Sequence, residues 1–446
     1  MALDVSGRIG DSNGPTWRLV VPDDDSIGTL TISPGVTDLT WNQINGPWAA
    51  YLDQINIINI TDEIQVANSI NGLFANLTRT TTFNGLYHLK MVKGSTIATM
   101  DDLFFKTPAI IGYGMLGTAF WTVQVENEIG FLEIGAGEFE WLGLREVSSG
   151  IQGETEWIPT SPWDNYRINI HAIHIMGTLK INNKARNLFY FLNRATVITG
   201  LEKMITTDVT DIGGMFRNMW ALSTVDISSF DTISITDMSW LFSNTWNLSE
   251  ITFPNPLSTG IWSTSNVTTM ESMFYNAKAL TTLDVSNWDT SKITNMCCMF
   301  YRTSNLIYLD VSHWNTSNVI DMSFMFYQCG VRQSAPPYDL DISAWMIKQA
   351  DMTWMFYRDK PNPNPAVPYD RANPATYQRI PDPVLVDLTV LKAQWKEAED
   401  EGIYKCTANI FGVEDDQLLW LWDPGLTFPD CNDYTQADCD QLNQST

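Results

Sequence analysis

The sequence predicts an α/β solenoid of stacked leucine-rich coils, built as two tandem modules with β-rich caps and a small acidic C-terminal element. Three observations predict it. A segment ending in Met-x-x-Met-Phe recurs, with anchor residues Phe216, Phe242, Phe274, Phe300, Phe326 and Phe356 spaced by 26, 32, 26, 26 and 30 residues. A weaker, larger duplication covers the first half of the chain. The composition is rich in aromatics and poor in charge: 18 Trp, 15 Tyr, 20 Phe and 18 Met against 17% charged residues in 446. Repeats at such a period are the signature of a stacked array, and extra residues in single copies belong on loops. The two long spacings come from insertions around Pro254–Gly260 and Ser334–Tyr338.

Each element follows from the strict copies, which begin at Ala221, Ala279 and Asn305. In the second, Leu283 and Val285 alternate with Thr282, Asp284 and Ser286, the pattern of a short half-buried strand. Trp288 follows, then a turn at Asp289-Thr290-Ser291. Thr294 is placed to cap a short helix, on which Met296, Met299 and Phe300 share one face at i, i+3 and i+4. One such unit cannot bury its own apolar face, whereas stacked neighbours can.

The duplication pairs Gly28–Ile32 with Gly130–Ile134, and Pro47-Trp48-x-x-Tyr51 with Pro162-Trp163-x-x-Tyr166. Ile55, Ile58 and Ile60 match Ile170, Ile173 and Ile175, a constant offset of 115. The expected layout is an N-terminal arm (1–15), a first β-cap with degenerate repeats (16–108), a linker (109–118) and a second β-cap with a degenerate coil (119–194). A leucine-rich-repeat solenoid (195–360), a Pro-rich linker (361–383) and an acidic C-terminal element (384–446) complete it.

The stretch LDVSNWDTSKITNMCCMFY, from Leu283 to Tyr301, resembles the 26-residue repeat of the BspA-like bacterial surface leucine-rich-repeat family. GTLTISPG, followed by PWAAYLDQINIINI, resembles that family's N-terminal capping pattern. The resemblance is strict over roughly 195–360 and reaches back, degenerate, to about residue 28. It implies a non-enzymatic, surface-located binding or adhesion protein.

Charge narrows the partners. With 26 Lys+Arg against 51 Asp+Glu the net charge is −25, which argues against nucleic acid, since phosphate binding needs a basic stripe. No stretch of 18 apolar residues predicts membrane insertion. The six cysteines show no paired CxxC spacing of a zinc site.

Candidate sites are few. Gly112-x-Gly114-x-x-Gly117 matches a dinucleotide fingerprint, but the strand-like TAFWTVQV follows where a helix is required. His171 and His174 are expected on opposite faces of one strand, and so share no metal. No catalytic residue and no cofactor are expected. The Asp ladder Asp226, Asp284, Asp310 and Asp341 has two readings: carboxylates bonded to nearby backbone or hydroxyls, which is preferred, or a weak Ca²⁺ ladder. Thr224, Thr282, Tyr308 and Asp339 are expected on the exposed strand face, the usual binding surface of a solenoid, with Tyr308 the best anchor. The aromatic column Phe230, Trp262, Trp288, Trp314 and Trp345 reads as packing between coils rather than a carbohydrate platform.

The expected function is a structural or adhesive protein whose partners are a protein or glycan receptor, neighbouring virion subunits or a second copy of the chain. Residues 1–20 show no basic segment followed by an apolar one, so a virion surface (a decoration, fibre or tail-associated protein) is preferred to a bacterial cell surface. A glycan-acting enzyme with leucine-rich modules is the remote alternative.

Overall fold

The computed structural model describes residues 2–355, apart from 24–26, 37–38, 92–99, 101, 127–128, 141–144, 149–154, 159–160, 255–258, 307, 331–341, 343–344, 346–349 and 353–354. The expectations for Phe356, Asp339, Asp341, the Pro-rich linker and the acidic C-terminal element lie outside the described residues. No described helix is long and apolar enough to cross a membrane.

The first strands are β1 (Leu3–Arg8), β2 (Thr16–Val21), β3 (Thr29–Ser33), β4 (Leu39–Asn42), β5 (Ile57–Ile60), β6 (Ile64–Asn71), β7 (Thr82–Asn84) and β8 (Leu89–Met91). β1, β2 and β3 are antiparallel neighbours, after which β3, β5 and β7 pair in parallel. Next come β9 (Ile110–Leu116), β10 (Ala119–Glu126), β11 (Ile129–Ile134), β12 (Gly137–Glu140), β13 (Arg145–Ser148), β14 (Thr155–Ile158), β15 (Ile170–Ile175), β16 (Leu179–Lys184) and β17 (Val197–Thr199). The same order returns: β9, β10 and β11 are antiparallel, and β11, β15 and β17 pair in parallel. Short strands β18 (Met204–Ile205), β19 (Val209–Asp211), β20 (Thr224–Asp226) and β21 (Glu250–Thr252) complete the set.

The packing repeats as well. Trp17 meets Trp48 edge-on at 6.2 Å and 80°, and Trp121 meets Trp163 at 5.9 Å and 80°. Trp48 stacks on Phe74 and Trp163 on Phe189. Gly85 (φ 84°) and Gly200 (φ 83°) each precede a 3₁₀ turn in a left-handed conformation open to glycine. Buried apolar residues form two clusters, one from Ile9 to Phe120 and one from Leu116 to Met355. They meet at β10, where Phe120 belongs to the first and Trp121 and Val123 to the second.

Between residues 183 and 355 the described part of the chain is a β-solenoid with very little helix, and a leucine-rich-repeat solenoid fits its coils. Parallel bridges run Asp211–Asp237–Thr269–Asn295–Asp321–Asp351 along one corner. Inside, Phe216, Phe242, Phe274, Phe300 and Phe326 form a column of stacked rings 5.5–5.7 Å apart. Leu283 and Val285 turn inward, while Thr282 and Asp284 turn outward.

The helical part of the expectation fails: the only helices among the described residues are four short 3₁₀ segments. The backbone of 296–302 shows why. N–H groups of Met299 and Tyr301 close tight turns onto Met296 and Cys298 carbonyls, at 3.2 and 3.0 Å. N–H groups of Met296, Cys298, Phe300 and Arg302 instead reach the next coil, donating to the carbonyls of Asp321, Ser323, Met325 and Tyr327 at 2.7–2.9 Å. Alternate donors are thus committed between coils, leaving none for a continuous i→i−4 ladder. Cys298 (φ 56°) and Arg302 (φ 55°) are left-handed, as are Ser272 and Asn276 one coil earlier, and this breaks the αR run. Thr294 caps no helix: its Oγ1 donates to the Thr268 carbonyl at 3.2 Å.

Two further expectations are corrected. Residues 3–8, expected in an arm, pair with β2. Residues 110–116, expected in a linker, form β9 because their glycines let the strand lie against aromatic rings. A side chain at Gly112 would meet the Tyr166 ring at 2.5 Å, and one at Gly114 the Trp121 ring at 2.9 Å. These glycines make room for indole and phenol rather than for a phosphate.

Candidate functional site

The strand face of the coils is built from the positions that alternate away from Val225, Leu283 and Leu309. Thr224, Thr282 and Tyr308 are exposed there, with Tyr308 60% accessible and bridged to Thr282 across one coil. Asp226, Asp284 and Asp310 share this face, and each is held by its own turn. Asp226 Oδ1 accepts from the Ser228 N–H at 2.9 Å. Asp284 accepts from the N–H and hydroxyl of Ser286 at 3.0 and 2.6 Å, and Asp310 from those of Ser312 at 3.1 and 2.7 Å. The serine hydroxyl is the main reason Asp284 and Asp310 lie below the usual carboxylate range. Among the described residues no three His, Cys, Asp or Glu side chains are grouped to hold a metal ion.

The aromatic column is interior. Phe230, Trp288, Trp314 and Trp345 are buried, and the last three stack at 6.2 and 6.1 Å, within 7° of parallel. Trp262 is half-buried against them. The buried rings of Phe230, Trp288, Trp314 and Trp345 offer no face to a sugar.

His171 and His174 do not face opposite sides. Both are half-exposed while Ile170, Ala172, Ile173 and Ile175 are buried, because the β11–β15 register slips between Gly130 and Phe131. They still share no partner: His171 Nδ1 lies 2.7 Å from the Asn169 carbonyl, and His174 Nδ1 lies 2.8 Å from Thr199 Oγ1.

A second corner escapes sequence reasoning. Arg186 Nη1 donates to Asp211 Oδ1 at 3.0 Å and Asp237 Oδ2 at 2.8 Å, and Nη2 donates to Ser239 Oγ at 3.1 Å. Farther along the same corner, Asn295 Nδ2 donates to Glu271 at 3.2 Å, Asn295 Oδ1 accepts from the Cys297 N–H, and Ser323 donates to Asp321 and Cys297. Burial pushes Asp211 and Glu271 up; for Glu271, the nearby Asp321 and Asp237 add to it. The signal was present in the recurrent Asp-Met pairs Asp237-Met238, Asp321-Met322 and Asp351-Met352. That Arg186 neutralises the ladder's first rungs is visible only in three dimensions.

Residues 183–283 and 249–367 match a family model described as a Mycoplasma protein of unknown function, DUF285. Over the described residues, the matched segments fall on the stacked coils. The crystal structure of a leucine-rich repeat protein from Eubacterium ventriosum ATCC 27560 aligns with 77% of this chain and 86% of its own, at 14% identity and a TM-score of 0.18. At that TM-score the superposition carries no argument. No curated protein matches the chain.

Proposed function

We propose that the chain is a non-enzymatic binding protein of the bacterial surface repeat type, presenting the strand face of its coils to a protein or glycan receptor. The observation that carries this reading is Tyr308, a large aromatic 60% exposed on a face otherwise lined by polar side chains such as Thr224, Glu250 and Thr282. Exposed tyrosines supply much of the energy of protein interfaces. The carboxylates around it are tied into turns, so the face is shaped before any partner arrives, which lowers the ordering cost of binding.

The finer layout proposed is two tandem modules, each opened by an antiparallel β-cap. The repeated strand order, the paired Trp–Trp contacts and the two core clusters support it. A leucine-rich-repeat identity for the solenoid rests on its stacked coils and their recurrent apolar positions, and the surface location is part of the same proposal; nothing in the coils favours a virion placement. The Ca²⁺ ladder is the weaker proposal, since the turns already use the carboxylates.

The test is location followed by substitution. An antibody to the chain is expected to follow the cell envelope on a density gradient and to label intact cells. Banding with nucleic-acid-containing particles would restore the virion reading and overturn this one. Labelled Tyr308→Ala chain is then expected to bind intact cells more weakly than the parent; equal binding removes the strand face as the contact.

A further inference from the structure

The only adjacent cysteines in the sequence, Cys297 and Cys298, bring their sulfurs to 3.4 Å at the acidic corner of the solenoid. Both are free thiols and half-buried. In other coils the equivalents of Cys297 include Ser239, Glu271 and Ser323, and those of Cys298 include Trp240, Ser272 and Phe324. The pair is therefore peculiar to this coil, where Cys297 Sγ also accepts from the Ser323 hydroxyl of the next coil.

We propose that Cys297 and Cys298 form a dithiol clamp for one trivalent arsenical. Three observations favour this chemistry over its rivals. First, a disulfide is opposed by the backbone. Neighbouring residues across a trans peptide have Cα atoms about 3.8 Å apart, short of the roughly 4.4–6.8 Å usual for a disulfide. The linking peptide cannot readily adjust, because the Ser272 N–H donates to the Cys297 carbonyl at 2.8 Å and the Cys298 N–H donates to the Ser323 carbonyl at 2.9 Å. The coils on both sides hold it.

Second, a structural zinc site needs four ligands, and no third metal-binding side chain is grouped with the pair among the described residues. Trivalent arsenic needs only two thiolates besides its own substituent. Third, the span fits. With sulfur–centre bonds of about 2.3 Å, as for thiolates on zinc, a 3.4 Å separation subtends roughly 95° at a shared centre. That is the angle of a pyramidal trivalent centre and is narrower than a tetrahedral one.

The surroundings agree. Asp321 and Glu271 lie close enough to disfavour negative charge on both thiols, so an anionic electrophile is repelled whereas a neutral arsenous acid is not. The hydrogen bond with Cys298 holds the Cys297 thiol below its ordinary value and pushes Cys298 up, which makes Cys297 the first nucleophile. In each of two successive steps an As–S bond forms, an As–OH bond breaks, and the thiol proton leaves with the hydroxide as water. Arsenic stays trivalent, and no oxidant or reductant is needed.

The test uses the full chain and phenylarsine oxide. Trypsin releases both cysteines in one peptide, residues 293–302. After arsenical treatment this peptide is expected to carry one phenylarsenic group in place of two thiol hydrogens. Its alkylation by iodoacetamide is expected to slow by roughly tenfold or more, since alkylation needs the thiolate. Cys297→Ser and Cys298→Ser are each expected to abolish retention at this peptide, with melting curves confirming that both variants fold. Unchanged alkylation of the parent peptide, or retention that survives either substitution, overturns the proposal. So does conversion of the pair to a disulfide by dilute peroxide, because the backbone argument would then be wrong.

Discussion

Arg186 Nη1 lies 2.8 Å from Asp237 Oδ2, 51 positions along the chain and two coils away, and 3.0 Å from Asp211 Oδ1 in the coil between. One guanidinium thus ties three coils together at a corner where like charges would otherwise stack. Asp211 is only 8% exposed, so it depends on this partner more than a surface carboxylate would.

Replacing Arg186 with Met keeps the stem and removes the charge. The expected loss is about 1–3 kcal/mol, the scale of hydrogen bonds to charged groups, read as a lower urea midpoint. Adding Asp211→Asn to the same chain is expected to recover part of it, because the uncompensated carboxylate is then gone. Equal stability of the parent and the Arg186→Met chain would show the ion pairs to be incidental.

Glu133 on β11 faces Thr122 of β10 and His174 of β15 in the strand register, and Gln124 Nε2 donates to it at 2.6 Å. Burial pushes its carboxyl from 4.5 up to about 7. A carboxyl with the higher pKa in the folded chain holds its proton more tightly there, so stability is greatest below about 4.5 and is lost as pH rises through 7. Glu133→Gln is expected to be more stable than the parent at pH 8, by on the order of 2–3 kcal/mol, with the difference vanishing near pH 4. Paired denaturation curves at the two pH values measure this.

Phe300 is fully buried between Phe274 and Phe326, with both ring centroids 5.5 Å away. Phe300→Ala opens a cavity inside the column and is expected to cost about 3–5 kcal/mol. Because the two rings are in contact, combining it with Phe274→Ala should give less than the sum of the single losses. Strict additivity in the melts would mean that the stacking carries no coupling.

Thr290 is 1% exposed, and its Oγ1 donates to the Asn315 carbonyl in the next coil at 3.0 Å. Thr206 and Thr264 do the same for their own following coils. Thr290→Val keeps the shape and leaves the Asn315 carbonyl short of a donor. The expected cost is about 1–2 kcal/mol, with Thr290→Ser retaining more of the bond. A valine variant as stable as the parent would make the hydroxyl column irrelevant to the stack.

The inward set was legible from residues alone. Leu283, Val285, Met296, Met299 and Phe300 are buried as their spacing predicts, because period-two alternation and a recurrent apolar cluster reflect which side of the chain meets its own copies. The turns were legible too. Asp284, Asp289 and Asp310 each accept from the N–H two residues on, a local bond that needs no neighbour. The exposed face with Thr224, Thr282 and Tyr308 followed from the same alternation.

What tertiary structure alone decided was every choice of partner between coils. Residues 296–302 have the i, i+3, i+4 spacing of a helix, yet their alternate N–H groups bond to 321–327, and the chain turns instead. His171 and His174 share a side because β15 slips one register step against β11, and Arg186 finds Asp237 across two coils. Residue spacing records which side chains point inward. It does not record which carbonyl a backbone donor will find once another coil lies alongside, and that choice separates a helical corner from a turned one.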